Sequence, residues 1–402
     1  MIKKMLIPAF SLILLSATNS SSISEDTVIQ GNTKFAFDIF NQISSKSNDN
    51  IFLSPFSIST ALAMTYVGAA EQTAEEMKNT LHFGENNLDF HNAYSTYVQQ
   101  LENNALGNIQ LSIANKIWAQ KKYELKPQFI NINREAYLSD IALMNFAEKP
   151  EESRLEINQW VENKTQQKIK DLIPSGMITT DTRLVLTNAI YFKGDWANQF
   201  EKENTKDKPF YKLDKSELTT PFMHQRLHIR YFEQNEYQMV MLPYQGYKHS
   251  MIVVLPNKKT SIENVATMMS TNLFSDLAKS RERDVMLELP KFKILQSVNL
   301  NDPLKELGMN QAFASEANFS NMTKVDDDLH ISAILHKAFI EVDEKGTEAA
   351  AATAVVMTVE CISVSNPELP VSFIANRPFL FYIIDNQTNG ILFMGRMMNP
   401  KK

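Results

Sequence analysis

Residues Glu341 to Phe379 read EVDEKGTEAAAATAVVMTVECISVSNPELPVSFIANRPF, and the structural preference changes along this segment. Its first part, Thr347 to Ala352, is rich in alanine and favours a helix. The residues that follow, Val355 to Val359, are typical of a strand. One interpretation is an ordinary connection between a helix and a strand. The other is a segment that can adopt two kinds of structure.

Strand patterns surround this segment and fill most of the second half of the chain. Ile331 to Val342 is rich in apolar and β-branched residues. Phe379 to Met394 has a hairpin pattern, with Asn389-Gly390 as its turn. Further strands are predicted at Leu111 to Gln120, Leu184 to Phe192 and Val285 to Ile294. Two more are predicted within Tyr237 to Pro256, on either side of Gln245-Gly246.

The first half of the chain is predominantly helical. Thr33 to Ile43 has the spacing of an amphipathic helix. Asn50 to Tyr66 predicts a short strand and then a helix, with Ser54 as its cap and Pro55 in its first turn. Glu151 to Leu172 predicts another helix. Because no change in composition separates the two halves, we expect one large α+β domain over residues 23–402.

The composition excludes several classes of protein. The chain has 402 residues, of which 44% are hydrophobic and 21% charged, so it can form a large core and is not a disordered protein. Its 40 basic and 46 acidic residues give a net charge of −6, which argues against nucleic acid as the main partner. The single cysteine, Cys361, excludes an intramolecular disulfide and a cysteine-rich zinc site.

The amino terminus has the residue order of a secretory signal. Lys3 and Lys4 precede a mostly apolar run, Met5 to Leu15, and small polar residues follow from Ser16 to Ser24. The apolar run is too short to span a bilayer, and no later stretch is long enough. We therefore expect a signal peptide over residues 1–22 and a secreted, extracellular protein. A signal anchor or a buried first helix is the alternative.

The sequence contains no catalytic or metal-binding motif that we recognise. Its seven histidines form no His-Glu-x-x-His pattern, and neither a Gly-x-Ser-x-Gly elbow nor a phosphate-binding glycine loop occurs. His224 and His228 are four residues apart, which would suit a metal site on a helix, but their surroundings predict a strand. We therefore expect no enzyme, no metal and no cofactor, and a hydrolase is the least favoured function.

Several motifs, in the same order along the chain, resemble the serpin family of serine protease inhibitors. The resemblance extends from about Thr33 to Pro400. The motifs are Ser54-Pro55-Phe56-Ser57-Ile58-Ser59, Thr187 to Trp196, His336-Lys337-Ala338, Phe373 to Ile383 and Phe393-Met394-Gly395-Arg396. The resemblance implies a single-domain serpin fold with three β-sheets, about eight to nine helices and an exposed reactive loop at about residues 346–372.

The resemblance also implies a mechanism. In this family a protease cleaves the exposed loop and is acylated by it, and the freed loop then inserts as a strand into the central sheet. Insertion requires small, uncharged side chains on the inward face, because others would clash or lose their hydration. Thr347, Ala349, Ala351 and Thr353 alternate on that face and meet the requirement. The complete hinge is Gly346, Thr347, Glu348, Ala349, Ala350, Ala351, Ala352 and Thr353.

The bond that the protease cleaves is predicted from its spacing to the hinge. In typical inhibitors of this family the residue before the cut lies 14 positions after the hinge glycine, which gives the bond Glu360–Cys361. Asn376 lies 15 positions after Cys361, a longer spacing than several members have, which leaves other bonds open. These alternatives are Met357–Thr358, Val359–Glu360 and Cys361–Ile362. Cys361 is interpreted as a residue that fits a protease subsite, with oxidation of its thiol as the alternative.

The residue before the cut indicates the class of target. Glutamate suggests a glutamate-preferring or elastase-like serine protease, whereas valine or methionine suggests an elastase-like or chymotrypsin-like one. A cysteine protease is a further candidate partner. We expect a monomer that binds neither nucleic acid nor a membrane. A non-inhibitory carrier or chaperone is the alternative function, but the bulky, charged or proline residues that would favour it are missing from the inward face of the hinge.

Two more groups of residues match the family. Ser54, Ser57, Asn188 and His336 resemble its shutter, a hydrogen-bonded cluster at the central sheet. Trp196, Lys291 and Glu344 resemble its breach, the place where the loop enters that sheet, and the last two would form an ion pair there.

Overall fold

The computed structural model describes residues 24–105, 109–324, 328–347 and 369–401. Within these ranges the chain forms eight α-helices: α1 (Glu25–Ser44), α2 (Pro55–Tyr66), α3 (Glu71–Leu81), α4 (Leu88–Ala105), α5 (Pro127–Tyr137), α6 (Pro150–Lys164), α7 (Ile262–Lys279) and α8 (Asn301–Glu306). It also forms fifteen strands: β1 (Ile51–Leu53), β2 (Ile109–Gln120), β3 (Ile141–Met144), β4 (Leu184–Asp195), β5 (Lys206–Tyr211), β6 (Glu217–Glu233), β7 (Tyr237–Pro243), β8 (His249–Pro256), β9 (Arg281–Pro290), β10 (Phe292–Asn299), β11 (Ile331–Val342), β12 (Gly346–Thr347), β13 (Val371–Ile374), β14 (Phe379–Asp385) and β15 (Ile391–Met397).

The local sequence explains where the first two helices begin. At α1 the Ser24 hydroxyl accepts a hydrogen bond from the Thr27 amide at 3.3 Å. At α2 the Ser54 hydroxyl accepts one from the Ser57 amide, also at 3.3 Å, and Pro55 occupies the first turn. Each serine satisfies an amide that has no partner within its helix. The start of α2 that the sequence predicted is therefore confirmed.

The prediction of a helix over Glu151 to Leu172 was wrong for its last eight residues. The helix α6 ends at Lys164, and Gln166 has a left-handed backbone angle (φ 52°) that a right-handed helix does not contain. The chain then turns back, because the Asn158 side chain accepts from the Ile173 amide at 2.8 Å and donates to the Ile173 carbonyl at 2.9 Å. This tertiary contact outweighs the local helical pattern.

The central sheet contains six strands in the order β10-β11-β12-β4-β2-β3. Its main feature is a seam, which we define as the line along which β11 and β4 pair directly with each other in parallel. The seam runs from Ile331 opposite Leu184 to Phe339 opposite Tyr191. Beyond that last pair, β12 lies between the two strands.

The strand β12 continues the line of the seam with only two residues. Thr347 is antiparallel to both neighbours and lies opposite Val342 of β11 and Gly194 of β4. Glycine is required at position 346, since a Cβ there would lie 2.1 Å from the carbonyl oxygen of Gly194. Close packing against the backbone of β4 therefore accounts for the glycine at this position.

Strands occupy the two ends of the range predicted for the reactive loop. The prediction placed its ends at residues 346 and 372. In the structure Gly346–Thr347 forms β12, and Val371–Ile374 forms β13, which pairs in parallel with β9. Hydrogen bonds to neighbouring strands hold both ends in sheets, which local propensity cannot indicate. Residues 348–368 lie outside the described part of the chain.

The other nine strands form one connected path, β1-β15-β14-β8-β7-β6-β9-β13, with β5 paired to β6. The long strand β6 divides this path into a large sheet and a small one. Its final residues, Tyr231 to Glu233, pair with β7, whereas Phe222 to Tyr231 pair with β9. With the central sheet, the described part of the chain therefore has three sheets. The predicted α+β fold with three sheets and about eight to nine helices is confirmed, with eight helices among the described residues.

The two faces of the central sheet are covered differently. One face contributes to the largest hydrophobic cluster, which the sheets share with several helices. The opposite face is covered by α6 and the chain that follows it, in a separate cluster that includes Trp118, Ile157, Val161, Tyr191 and Phe339. In the described ranges, no helix combines the length and the hydropathy that crossing a membrane requires.

Candidate functional site

The predicted breach residues meet where β12 enters the central sheet. Glu344, between β11 and β12, accepts hydrogen bonds from Lys291 Nζ at 2.7 Å and from Thr205 Oγ1 at 2.9 Å. Its side chain is 5% exposed, and that of Lys291 is 36% exposed. Burial by itself would raise the pKa of the Glu344 carboxyl, but the hydrogen bonds and the lysine charge lower it overall. The carboxylate is therefore charged and paired. No motif in the sequence indicated Thr205.

Aromatic side chains connect the breach to the hinge. The ring of Trp196 is stacked on that of Tyr244, with centroids 4.7 Å apart, and its Nε1 donates to the carbonyl of Asp343 at 3.0 Å. The Tyr244 hydroxyl lies 2.8 Å from Thr347 Oγ1, and both residues are fully buried. Burial raises the pKa of Tyr244, so its hydroxyl keeps its proton. Trp196 was predicted from the sequence, whereas Tyr244 was not, because no motif distinguishes it.

The four predicted shutter residues form one buried network across the seam. Asn188 of β4 and His336 of β11 lie opposite each other in the seam, and their side chains are hydrogen-bonded through Asn188 Oδ1 and His336 Nδ1. The Ser54 amide donates to His336 Nε2 at 3.2 Å, and Asn188 Nδ2 donates to Ser57 Oγ at 2.6 Å. Asn188 Nδ2 also lies 2.5 Å from Asn115 Oδ1, a member that the sequence analysis missed.

The partners of His336 fix its protonation state. Because Nε2 accepts a hydrogen bond from an amide, the ring proton lies on Nδ1 and is donated to Asn188. Complete burial lowers the pKa of His336 to about 3, so the ring is neutral near pH 7. The shutter therefore joins β4, β11 and the start of α2 through uncharged groups.

Several predicted residues lie outside the described part of the chain. They are the remaining hinge residues Glu348, Ala349, Ala350, Ala351, Ala352 and Thr353, and the predicted cleavage residues Glu360 and Cys361. His224 and His228 lie on the strand β6, as their surroundings predicted. Among the described residues, no group of three or more histidine, cysteine, aspartate or glutamate side chains could hold a metal ion.

These features define a class of protein whose central sheet can accept an additional strand. The seam is a parallel contact between β11 and β4, and β12 already lies between them at one end. An additional antiparallel strand could extend β12 along the seam and pair on both sides. The site is therefore suited to accepting a strand.

The comparison with known families agrees with this geometry. The family model described as "Serpin (serine protease inhibitor)" matches residues 30–400. The chain belongs to the serpin family.

Individual relatives are similar over almost their full length. Serpin B4 of Homo sapiens is 38% identical over 394 residues, which cover 93% of this chain and 100% of the relative. The leukocyte elastase inhibitor of Xenopus tropicalis is 36% identical and covers 92% of this chain and 98% of its own. The crystal structure of Serpin48 from the insect Tenebrio molitor is 30% identical, with a TM-score of 0.81 over 92% of this chain and 98% of that one.

Proposed function

We propose that this serpin is a secreted suicide substrate that traps a target serine protease through loop insertion. The observation that carries the proposal is β12, which already pairs with both β11 and β4 at the end of the seam. A strand that begins between its two future neighbours has its register defined before the loop is cleaved. The chain that follows Thr347 therefore needs only to continue the backbone hydrogen bonds that β12 already forms with both strands.

If the register of β12 continues along the seam, each hinge residue can be compared with the two residues between which it would lie. Thr347 lies opposite Val342 and Gly194, so each later residue would face positions that decrease by one on both neighbours. Ala349 would lie between Ile340 and Phe192, and Ala351 between Ala338 and Ile190. These four neighbouring side chains belong to the largest hydrophobic cluster. Their close packing favours the small alanine side chains that the hinge supplies.

The same register would place Thr353 between Asn188 and His336. These residues are hydrogen-bonded to each other in the closed seam. Insertion would separate them and leave buried polar groups without partners, which is costly unless another group replaces the lost bond. The Thr353 hydroxyl can both donate and accept, so it is chemically suited to this position. The size and chemistry of the inward-facing hinge residues thus suit the positions that they would occupy. These residues are Thr347, Ala349, Ala351 and Thr353.

Trapping requires a covalent intermediate at the end of the inserted strand. The protease serine Oγ attacks the carbonyl carbon of Glu360, and the bond to the Cys361 nitrogen breaks. That nitrogen leaves with a proton as a new amino terminus, and Glu360 remains joined to the protease as an ester. Glu360 lies 14 positions after Gly346, a distance of about 46 Å along a strand at ~3.3 Å per residue. Insertion could therefore carry the protease across most of the molecule.

A panel of proteases tests the function. Incubation with glutamate-preferring, elastase-like and chymotrypsin-like serine proteases, and with a cysteine protease, should give an SDS-stable adduct with at least one of them. Cleavage of the loop by every protease without an adduct would instead indicate a non-inhibitory carrier or chaperone. Turnover of unrelated substrates would indicate a hydrolase.

Mass spectrometry of the peptide released on complex formation tests the cleaved bond. A peptide that begins at Cys361 is expected if Glu360 forms the ester. A peptide that begins at Thr358, Glu360 or Ile362 would move the bond and would change the expected class of protease. This result concerns specificity, and an adduct would still establish inhibition.

Export is a separate part of the proposal. Two lysines, the apolar run Met5 to Leu15 and the small polar residues Ser16 to Ser24 support it, because this is the residue order of a signal peptide and its cleavage region. Expression in a host with a secretory pathway should therefore release a protein whose amino terminus lies between residues 18 and 24. A protein retained in the cell with residue 1 or 2 at its amino terminus would contradict secretion.

A further inference from the structure

Two aromatic rings close the seam immediately beyond β12. Tyr191 of β4 and Phe339 of β11 are directly opposite each other, and their ring centroids are 6.3 Å apart. Among the residue pairs that join β11 to β4 in the described chain, this is the pair nearest to Thr347 and the one formed by two aromatic side chains. We refer to Tyr191 and Phe339 as the seam pair.

The seam pair is buried on the face of the central sheet that α6 covers. Tyr191 is 2% exposed and Phe339 is 5% exposed, and both belong to the cluster beneath α6. Lys293 of the neighbouring strand β10 extends its Nζ to 5.0 Å from the centre of the Phe339 ring. The pair is therefore packed on several sides. It lies on the face of the central sheet opposite to the shutter and the largest hydrophobic cluster.

An inserting strand must separate these rings before it can pass further. Directly paired strands are about 4.8 Å apart, so an additional strand roughly doubles the distance between β11 and β4 to about 9.6 Å. In the register of β12, residue 350 would lie between Tyr191 and Phe339. The rings therefore lose their contact at the third residue after Thr347, before Thr353 can reach the shutter.

We propose that the seam pair sets the rate of strand insertion by holding β11 and β4 together ahead of β12. This inference rests on the proposed function, because it assumes that a strand inserts. Contact between aromatic rings contributes energy beyond their burial, and that energy must be lost before the seam opens. The two rings are thus positioning residues for the trapping reaction, since both are buried within the protein.

Uptake of a synthetic peptide measures opening of the seam without a protease. The probe is a peptide with the sequence of residues 348–358, EAAAATAVVMT, which continues from Thr347 of β12, and its incorporation is followed on native gels and by mass spectrometry. Phe339→Leu and Tyr191→Leu remove one ring but keep an apolar side chain of moderate size. Each should accelerate uptake about two- to tenfold, the range expected from the loss of one aromatic contact.

The double variant separates a pair effect from general destabilisation. If the two rings act on each other, Tyr191→Leu combined with Phe339→Leu should accelerate uptake by much less than the product of the single effects. Tyr191→Phe keeps the ring and should leave the rate unchanged. Met144→Ala is the matched control, because Met144 belongs to the same cluster but lies on β3, outside the seam. It should lower the melting temperature without accelerating uptake.

Two results would overturn the proposal, and they differ from failure of the proposed function. The seam pair has no such role if the leucine variants take up peptide at the wild-type rate. It also has none if Met144→Ala accelerates uptake as much as they do. If the wild-type protein incorporates no peptide at all, loop insertion itself is wrong and the seam-pair proposal is wrong with it.

Discussion

Thr347 is the residue at which a charge should affect inhibition most. It is fully buried in β12, and its hydroxyl lies 2.8 Å from that of Tyr244. In Thr347→Arg an unpaired charge would have to be buried there, which costs several kcal/mol. We expect cleavage of the loop to continue while insertion becomes slower than deacylation. The number of inhibitor molecules consumed per trapped protease should then rise at least about tenfold.

The control for this prediction keeps the hydroxyl group. Thr347→Ser retains the contact with Tyr244 and should trap protease with nearly wild-type stoichiometry. Both variants are titrated against the same protease, and adducts are compared with cleaved inhibitor on denaturing gels. If Thr347→Arg trapped protease as efficiently as the wild type, the hinge would have to begin elsewhere.

Two buried histidines should make stability depend on pH. Burial lowers the pKa of His336 to about 3 and that of His91 to about 4, from 6.5. Below pH 6.5 the unfolded chain therefore binds protons that the folded protein does not. The free energy of unfolding should be highest above pH 6.5. It should fall by about 1.4 kcal/mol per histidine for each pH unit as the pH decreases towards these values.

Urea unfolding at pH 7 and pH 5 measures this effect, since most carboxyl groups titrate below that window. The midpoint should be lower at pH 5. In His336→Gln, which can still form hydrogen bonds to Ser54 and Asn188, the difference between the two midpoints should be smaller. A wild-type midpoint that is equal at both pH values would contradict the prediction.

At the scale of elements, the ion pair between Lys291 and Glu344 connects the start of β10 to the turn before β12. Lys291→Met leaves the buried Glu344 carboxylate with Thr205 as its remaining side-chain donor. Since a buried charge that loses a partner is unfavourable, we expect a loss of about 1 to 2 kcal/mol in the free energy of unfolding. The hinge should also leave the sheet more readily.

Lys324→Met is the matched control for the ion pair. Lys324 and Glu124 form a salt bridge of the same length, 2.7 Å, but their side chains are 56% and 69% exposed. Exposed pairs contribute little, so this variant should lose less than about 1 kcal/mol. Chemical unfolding of both variants makes the comparison. If Lys324→Met lost more free energy of unfolding than Lys291→Met, burial of Glu344 would not explain the contribution of the breach ion pair to stability.

At the scale of the whole molecule, the closed seam predicts that cleavage stabilises the protein. An inserted strand would add hydrogen bonds to β11 and β4 and would bury further apolar area. The loop-cleaved protein should therefore melt at a clearly higher temperature than the native one. Melting curves before and after limited proteolysis within the loop give the comparison. Equal midpoints would remove the insertion mechanism.

The monomeric state expected from the sequence can be measured on the same samples. Light scattering coupled to size-exclusion chromatography should give the mass of one mature chain before and after cleavage. Heating below the melting temperature should favour association, because a seam that opens can accept a strand from a second molecule. A stable dimer at low temperature would contradict the prediction.

Much of the secondary structure and site composition followed from the sequence. Ser54 and Pro55 define the start of α2, and Ile331–Val342 was predicted with the bounds that β11 has in the structure. These features depend on local chemistry, such as capping, fixed proline geometry and apolar alternation. The shutter and breach residues came from resemblance to a family, and the structure brings each group together.

Only the tertiary structure decided how these residues act on one another. Thr347 was predicted to enter the sheet after cleavage, yet β12 already places it between β11 and β4. Asn115, Thr205 and Tyr244 complete the shutter and the breach, and the seam pair closes the line ahead of the hinge. Their partners are distant in the chain, so local propensity and spacing carry no information about them. Strand pairing and burial create these contacts, and both are properties of the folded molecule.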